Sequence, residues 1–272
     1  MARHWVVMVA AILACSDKDV LRYRPRRDGV HHYVMTMRYA REDARIVSAV
    51  PRSSQVWTIY YTQFGRSTDL RGAGSEISLR VDSVQLQPDQ DAPDLSPMKG
   101  QTISVFLDGR GQILRTERRG PRALTPEMVF RMHALAAAAA PAFPLEPVEA
   151  GDGWSVVTRS ALEDFGPDMD TLAELRLDAT LNAIHESRNE RVAEVGIHGA
   201  LPGHETGVRT SLGPLPARSS GTVIGQYRFS LRRGVMLSNE LTGRLILVTD
   251  VPMVGRDTLL SRLVAQTTIR LQ

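Results

Sequence analysis

Cysteine is almost absent from this chain. Cys15 is the single one among 272 residues, so no disulfide within the chain frames the fold. Lysine is nearly absent too: of 33 basic residues, only Lys18 and Lys99 are lysine. The arginines that stand in their place are scattered and balanced to a formal charge of +3. Scattered arginine does not make the clustered basic face that nucleic-acid binding needs. No apolar run reaches the roughly 20 residues of a membrane-spanning helix.

The signatures of catalysis are missing as well. The nearest approach to a Gly-x-Ser-x-Gly nucleophile turn is Gly72-Ala73-Gly74-Ser75, which lacks the second half and precedes a strand pattern. Gly109-Arg110-Gly111 belongs to a hairpin, not to a phosphate-cradling loop that opens a helix. No two of the seven histidines have helical ligand spacing. His31 and His32 are strand neighbours and point to opposite faces, so they cannot chelate one ion together. His185 and His198 are the one pair whose predicted strands bring them near each other. His133 falls on a helix pattern as a polar residue. The carboxylates Glu163, Asp164, Asp168 and Asp170 sit in a polar gap without calcium-loop spacing. Trp57, Tyr60 and Tyr61 make either a stacking platform or a core strand. The expectation is therefore a protein with no catalytic residue, no metal and no cofactor.

What is present begins at the N-terminus. Residues 1–14 have a short positive start with Arg3 and His4, then an apolar run from Trp5 to Leu13, then Ala14. This is the pattern of a signal peptide. Ile12-Leu13-Ala14-Cys15 resembles a bacterial lipobox, which implies lipid attachment at Cys15 and a lipid-anchored protein of the cell envelope, facing the periplasm. Under enterobacterial sorting rules, Ser16 after the cysteine would favour the outer membrane. Residues 15–29, rich in charge, read as a tether whose arginines meet anionic lipid or simply solvent.

The apolar share (43%) and charged share (23%) fit a folded globular chain from residue 30 onward. One segment, 125–140, reads as a helix. Thr125 is a good N-cap and Pro126 suits the first helical position. Met128, Val129, Met132, Leu135 and Ala136 recur at three- and four-residue spacing, and an alanine run follows until Pro141. Almost everything else alternates with period two. Strands are expected at 30–39, 55–64, 76–86, 101–107 and 112–117 before the helix. After it they are expected at 154–160, 171–184, 191–201, 221–231, 235–249 and 259–271. Residues 41–45 read as a loop or a hairpin end, and the Gly/Pro-rich stretch 202–220 reads as a loop. Asp108-Gly109 marks a hairpin turn.

Two meanders, 30–117 and 154–272, joined by the helix, thus make one β-rich domain. Long half-polar strands in hairpin succession predict a strongly curved antiparallel sheet, an incomplete β-barrel with the alanine-rich helix packed on its concave face. Met35, Met37, Met128, Met132, Leu135, Tyr227 and Phe229 fall at that seam. They form either a solid core or the lining of an apolar cavity.

Two further patterns carry a family resemblance. One is Phe143-Pro144-Leu145 with Pro147-Val148-Glu149-Ala150-Gly151-Asp152-Gly153-Trp154. The other is Gly221-Thr222, Tyr227-Arg228-Phe229-Ser230-Leu231, Gly234 and Ser238. With the lipobox they resemble an uncharacterised family of exported bacterial lipoproteins and, more distantly, the periplasmic lipoprotein-carrier superfamily. That resemblance implies an incomplete barrel holding acyl chains without bond chemistry. The functional expectation is a lipid-anchored envelope protein that binds an apolar or lipid-like ligand. The alternative is a scaffold lipoprotein that presents its sheet to an envelope protein partner. The membrane is the expected partner through the N-terminal lipid; nucleic acid is not one.

Overall fold

A computed structural model describes residues 20–22, 29–45, 53–67, 74–87, 94–108, 110–140, 143–161, 172–210, 213–251 and 257–272. The signal-peptide and lipobox reading at 1–15, the Asp108-Gly109 turn at residue 109, and the acidic gap at 162–170 lie outside these residues.

The first five strands are β1 (Val30–Arg45), β2 (Ser53–Ser67), β3 (Gly74–Leu86), β4 (Thr102–Asp108) and β5 (Ile113–Arg119). The helix α1 (Pro126–Ala139) follows. Then come β6 (Gly153–Ala161), β7 (Leu172–Glu186), β8 (Arg191–Thr210), β9 (Gly213–Ser230), β10 (Val235–Val251) and β11 (Asp257–Leu271). All eleven form one antiparallel sheet in the order β5-β4-β3-β2-β1-β11-β10-β9-β8-β7-β6. The two predicted meanders are thus stitched side by side through their outer members, β1 and β11. The open edges are β5 and β6, and the sheet does not close on itself.

This connectivity explains where the helix sits. The chain leaves the sheet at one edge, β5, and re-enters at the other, β6. The segment between them must cross the sheet, and its shortest dry route is over the apolar face. Thr125 caps the start, its Oγ1 accepting the Met128 N–H at 3.3 Å. At the far end the Asn239 side chain on β10 donates to the Ala138 carbonyl at 2.7 Å, satisfying one of the helix's last orphan acceptors.

Cross-strand register defines the covered face. Met37 pairs with Trp57, Met35 with Ile59 and Tyr33 with Tyr61 across β1 and β2. Met35 also pairs with Ile269 on β11, which pairs with Asn239. The outer face carries polar links instead. Thr62 donates to Asp82 at 2.6 Å, so its oxygen accepts from His32 Nδ1 at 3.1 Å, and Arg80 holds the other Asp82 oxygen. This ties β1, β2 and β3 together on the polar side.

Three expectations change. Residues 41–45 are strand, because β1 continues to pair with β11 from Arg41 opposite Leu263 to Arg45 opposite Leu259. Most of 202–220 is strand as well: β8 and β9 form a long hairpin in which Gly207 pairs with Pro216 and Arg209 with Pro214. The prolines are tolerated because β8 has no β7 partner beyond Ala200, and β9 has no β10 partner before Ala217. Such positions have a neighbour on one side only, so a missing N–H need not break a ladder. A register shift between Leu201 and His204 absorbs Pro202 and Gly203. Last, strict alternation along 171–184 would carry the inward face from Leu181 to Ala183, but a shift between them packs Ile184 against the core instead.

Candidate functional site

Beneath the helix, the inner face of the sheet and α1 form one hydrophobic cluster. All seven residues expected at the seam belong to it: Met35, Met37, Met128, Met132, Leu135, Tyr227 and Phe229. None is more than 8% exposed. The helix presents Met128, Met132 and Leu135, one per turn of its buried stripe, and the strands present the rest.

Aromatic rings fill the part of this cluster nearest the start of β1. Tyr33 and Tyr61 stack at 5.3 Å, and Phe143, just after the helix, meets Phe229 edge-on at 4.7 Å and Tyr227 at 6.1 Å. The Phe143 N–H donates to the Arg110 carbonyl in the β4–β5 turn. The loop after α1 therefore closes over this end of the concavity. Trp57 and Tyr61 are buried inside it, whereas Tyr60 sits at the opposite parity of β2. The three aromatics form no shared stacking platform.

The cluster contains polar groups as well as apolar ones. Arg131 is buried on α1, with its guanidinium carbon 3.0 Å from the centre of the Trp57 ring. This is a cation–π contact shielded from water. Trp57 Nε1, Tyr61 Oη and Tyr227 Oη have no hydrogen-bond partner among the described residues. Buried polar atoms of this kind are uncommon in cores. Burial pushes the Tyr33, Tyr61 and Tyr227 hydroxyls well above their ordinary range, so all three stay protonated donors. Of the three, Tyr33 donates to the Met236 carbonyl at 2.8 Å.

Several of these residues carry a weak sequence signal. Arg131 lies three residues after Met128 and four before Leu135, so helical spacing alone puts it on the buried stripe. Asn239 sits in phase with the inward residues of its strand. Leu21 has no such signal. It lies in the charged segment read as a tether, yet it is buried in the main cluster.

Other groups weighed in the sequence do not assemble. His133 is exposed. His185 pairs with Glu194 at 3.3 Å, and His198 stands opposite Asp178, so these two histidines do not meet. Ser155 donates to Asp178, which His198 faces from the next strand. In that order the carboxylate separates serine from histidine, so the imidazole cannot take the serine proton as a hydrolase relay requires. Among the described residues, no three His, Cys, Asp or Glu side chains come together as a metal site would need. No helix among them is long and apolar enough to cross a membrane.

No protein-family model matches the chain, and no curated protein matches it. Among solved structures, the chain is similar to one described as "Lipid-protein interactions in lipovitellin", with a TM-score of 0.51 at 9% identity. The match covers 92% of this chain and 25% of that one, so the chain spans about a quarter of the protein it resembles. A second match, the CymD monoaromatic hydrocarbon channel, has a TM-score of 0.17 at 7% identity over 89% of this chain and 88% of that one. The architecture shared with lipovitellin is a large open antiparallel β-sheet, and the likeness is one of fold.

Proposed function

We propose that this protein binds an apolar or lipid-like ligand between the helix and the concave sheet, without bond chemistry, while anchored in the bacterial cell envelope by lipid on Cys15. The observation that carries the reading is the broad apolar inner face of an open sheet, bridged by one helix whose ends lead to the two unpaired edges. A face of this kind is the surface against which acyl chains are buried, and its methionines suit an adaptable lining. The unpartnered Tyr61 and Tyr227 hydroxyls and the Trp57 N–H offer donors for the polar end of an amphiphile. The likeness to lipovitellin, a protein described by its interactions with lipid, is compatible with this use of the fold.

Native mass spectrometry of the chain from Ser16 onward, purified gently, tests the proposal. Extra mass that disappears on denaturation and extracts as lipid is the expected result. An apo mass that stays unchanged after incubation with envelope lipids would rule the reading out. It would turn the search to a protein partner on the sheet's outer surface.

A further inference from the structure

We infer that the end of the sheet closed by Phe143 is a docking face for an anionic phospholipid surface, which holds the sheet end-on to the membrane. The inference concerns the outer rim and does not rest on a ligand in the concavity.

Four exposed apolar side chains lie toward that end. Val30 opens β1 and pairs with Phe64 near the end of β2. Leu114 is the extra residue of the irregularity at the start of β5, where Phe106 pairs with Arg115 and Leu107 with Ile113. Leu145 lies two residues beyond the Phe143–Arg110 hydrogen bond that closes the end. Of the seven exposed large apolar side chains among the described residues, these are four; Ile224 and Ile246 lie farther along β9 and β10, away from that end. Leu114 and Leu145 are 67% and 62% exposed, the two highest values of the seven. Single exposed apolar residues are ordinary. Four toward one end, on β1, β2, β5 and the post-helix loop, are more than scatter.

Charge at the same end supplies the second half of the argument. Ser238 pairs with Arg270, which pairs with Val34, so the β9–β10 turn lies level with the start of β1. That turn carries Arg232 and Arg233. Arg233 is held by Glu190, whereas Arg232 reaches the Arg188 carbonyl in the neighbouring β7–β8 turn. Among the described residues neither Arg188 nor Arg232 is in an ion pair, and both are exposed. Exposed leucines at the same end as unneutralised arginines are the composition of an interfacial anchor, with apolar groups entering the acyl boundary and guanidinium groups meeting phosphate.

The chain's own start agrees with this placement. Leu21 is fixed in the core, and six residues of extended chain span at most about 20 Å. A lipid on Cys15 would keep the core within that distance of the bilayer, close enough for the rim to touch it.

The test uses the full chain in vesicles of phosphatidylglycerol and phosphatidylethanolamine whose acyl chains carry a nitroxide quencher. Leu145→Cys, Leu114→Cys, Ile224→Cys and Ile246→Cys are each labelled with an environment-sensitive fluorophore, and the parent chain controls for label at Cys15. The expected result is at least about twofold quenching at positions 145 and 114 and none at 224 and 246. Equal quenching at all four, or stronger quenching at 224 and 246, would overturn the inference. Adding Arg188→Glu and Arg232→Glu should reduce quenching at position 145 by about half. Quenching untouched by that charge reversal would overturn the role given to the arginines.

Discussion

The inner face of this sheet has two zones, and they solve packing differently. Beneath α1 and the Phe143 loop, the strands offer large side chains such as Tyr33, Met35, Trp57, Tyr61 and Phe229. Farther along the same strands lies a second, separate cluster of Leu201, Ala217, Leu245, Leu247 and Leu263, with Tyr39, Leu177 and Val223 against it. Glycines intersperse this zone, and some cannot be replaced in place. A Cβ on Gly225 would lie 2.2 Å from the Glu240 carbonyl oxygen, and one on Gly221 2.6 Å from that of Arg244. Where a helix is laid across the sheet, large side chains face it from the strands. Where the second cluster lies, missing volume lets β9 and β10 approach and bend. The curvature that makes the concavity and the side chains that line it thus come from different stretches of the same strands.

The widest separation between the zones should show in truncation. Phe143→Ala removes a ring held by two aromatics and should destabilise the protein by about 3–5 kcal/mol in urea unfolding. Leu263→Ala in the second zone should lose about 2 kcal/mol, the low end for a buried leucine. Equal losses would mean that both zones are packed alike. The glycine argument is sharpened by Gly225→Ala, which should cost about 1–3 kcal/mol through overpacking. Gly203→Ala, where nothing lies within 4 Å of the added Cβ, should stay near wild type.

Smaller effects probe the helix-covered zone alone. Arg131→Met keeps the stem's packing and removes the charge over Trp57. It should lower stability by about 1–2 kcal/mol and shift indole emission. Unchanged emission would show that the stacked pair is not formed in solution. Asn239→Ala should cost about 1 kcal/mol by freeing the Ala138 carbonyl, seen as a lower unfolding midpoint. The smallest effect is that of pH. Burial, then the charge of Arg233, holds the His31 pKa below its ordinary 6.5. The unfolded chain therefore binds the proton more readily than the folded one. This contribution leaves stability intact above pH 6.5 and reduces it as pH falls from there through the folded pKa. His31→Gln should flatten that part of a stability–pH profile, and a profile that His31→Gln leaves unchanged would assign it to other groups.

Much of this architecture is legible in the residues. Alternation at Ile77, Leu79 and Val81, or at Val223, Tyr227 and Phe229, shows strands with one buried face. Thr125, Pro126 and the methionine spacing mark the helix and its buried stripe. What local pattern hides is whatever depends on neighbours. Pro202, Pro214 and Pro216 read as loop because a proline breaks a ladder only if a strand lies on both sides, and the sequence does not show which strands lack a neighbour. The shift after Leu181 exchanges Ala183 for Ile184 without any marker in composition. Leu21 stands alone in a charged segment, so periodicity cannot reach it. The seven seam residues were findable because methionine, leucine and aromatic positions fall in phase. Arg131 was findable by the same spacing, although its charge argues against a buried place.

The pairing of β1 with β11 has a consequence for how the molecule is made. The first strand finds one of its two neighbours in the last fifteen residues of the sheet. Until those residues are present, each meander carries a long unpaired margin rich in apolar side chains, ready to pair with any other chain. Closing that junction joins segments more than 200 residues apart, an ordering step that non-local contacts make slow. A chain shortened at its C-terminus should therefore aggregate instead of folding to a smaller sheet. The wild-type molecule needs its margins kept apart, by dilution or by a chaperone, until its final strand arrives.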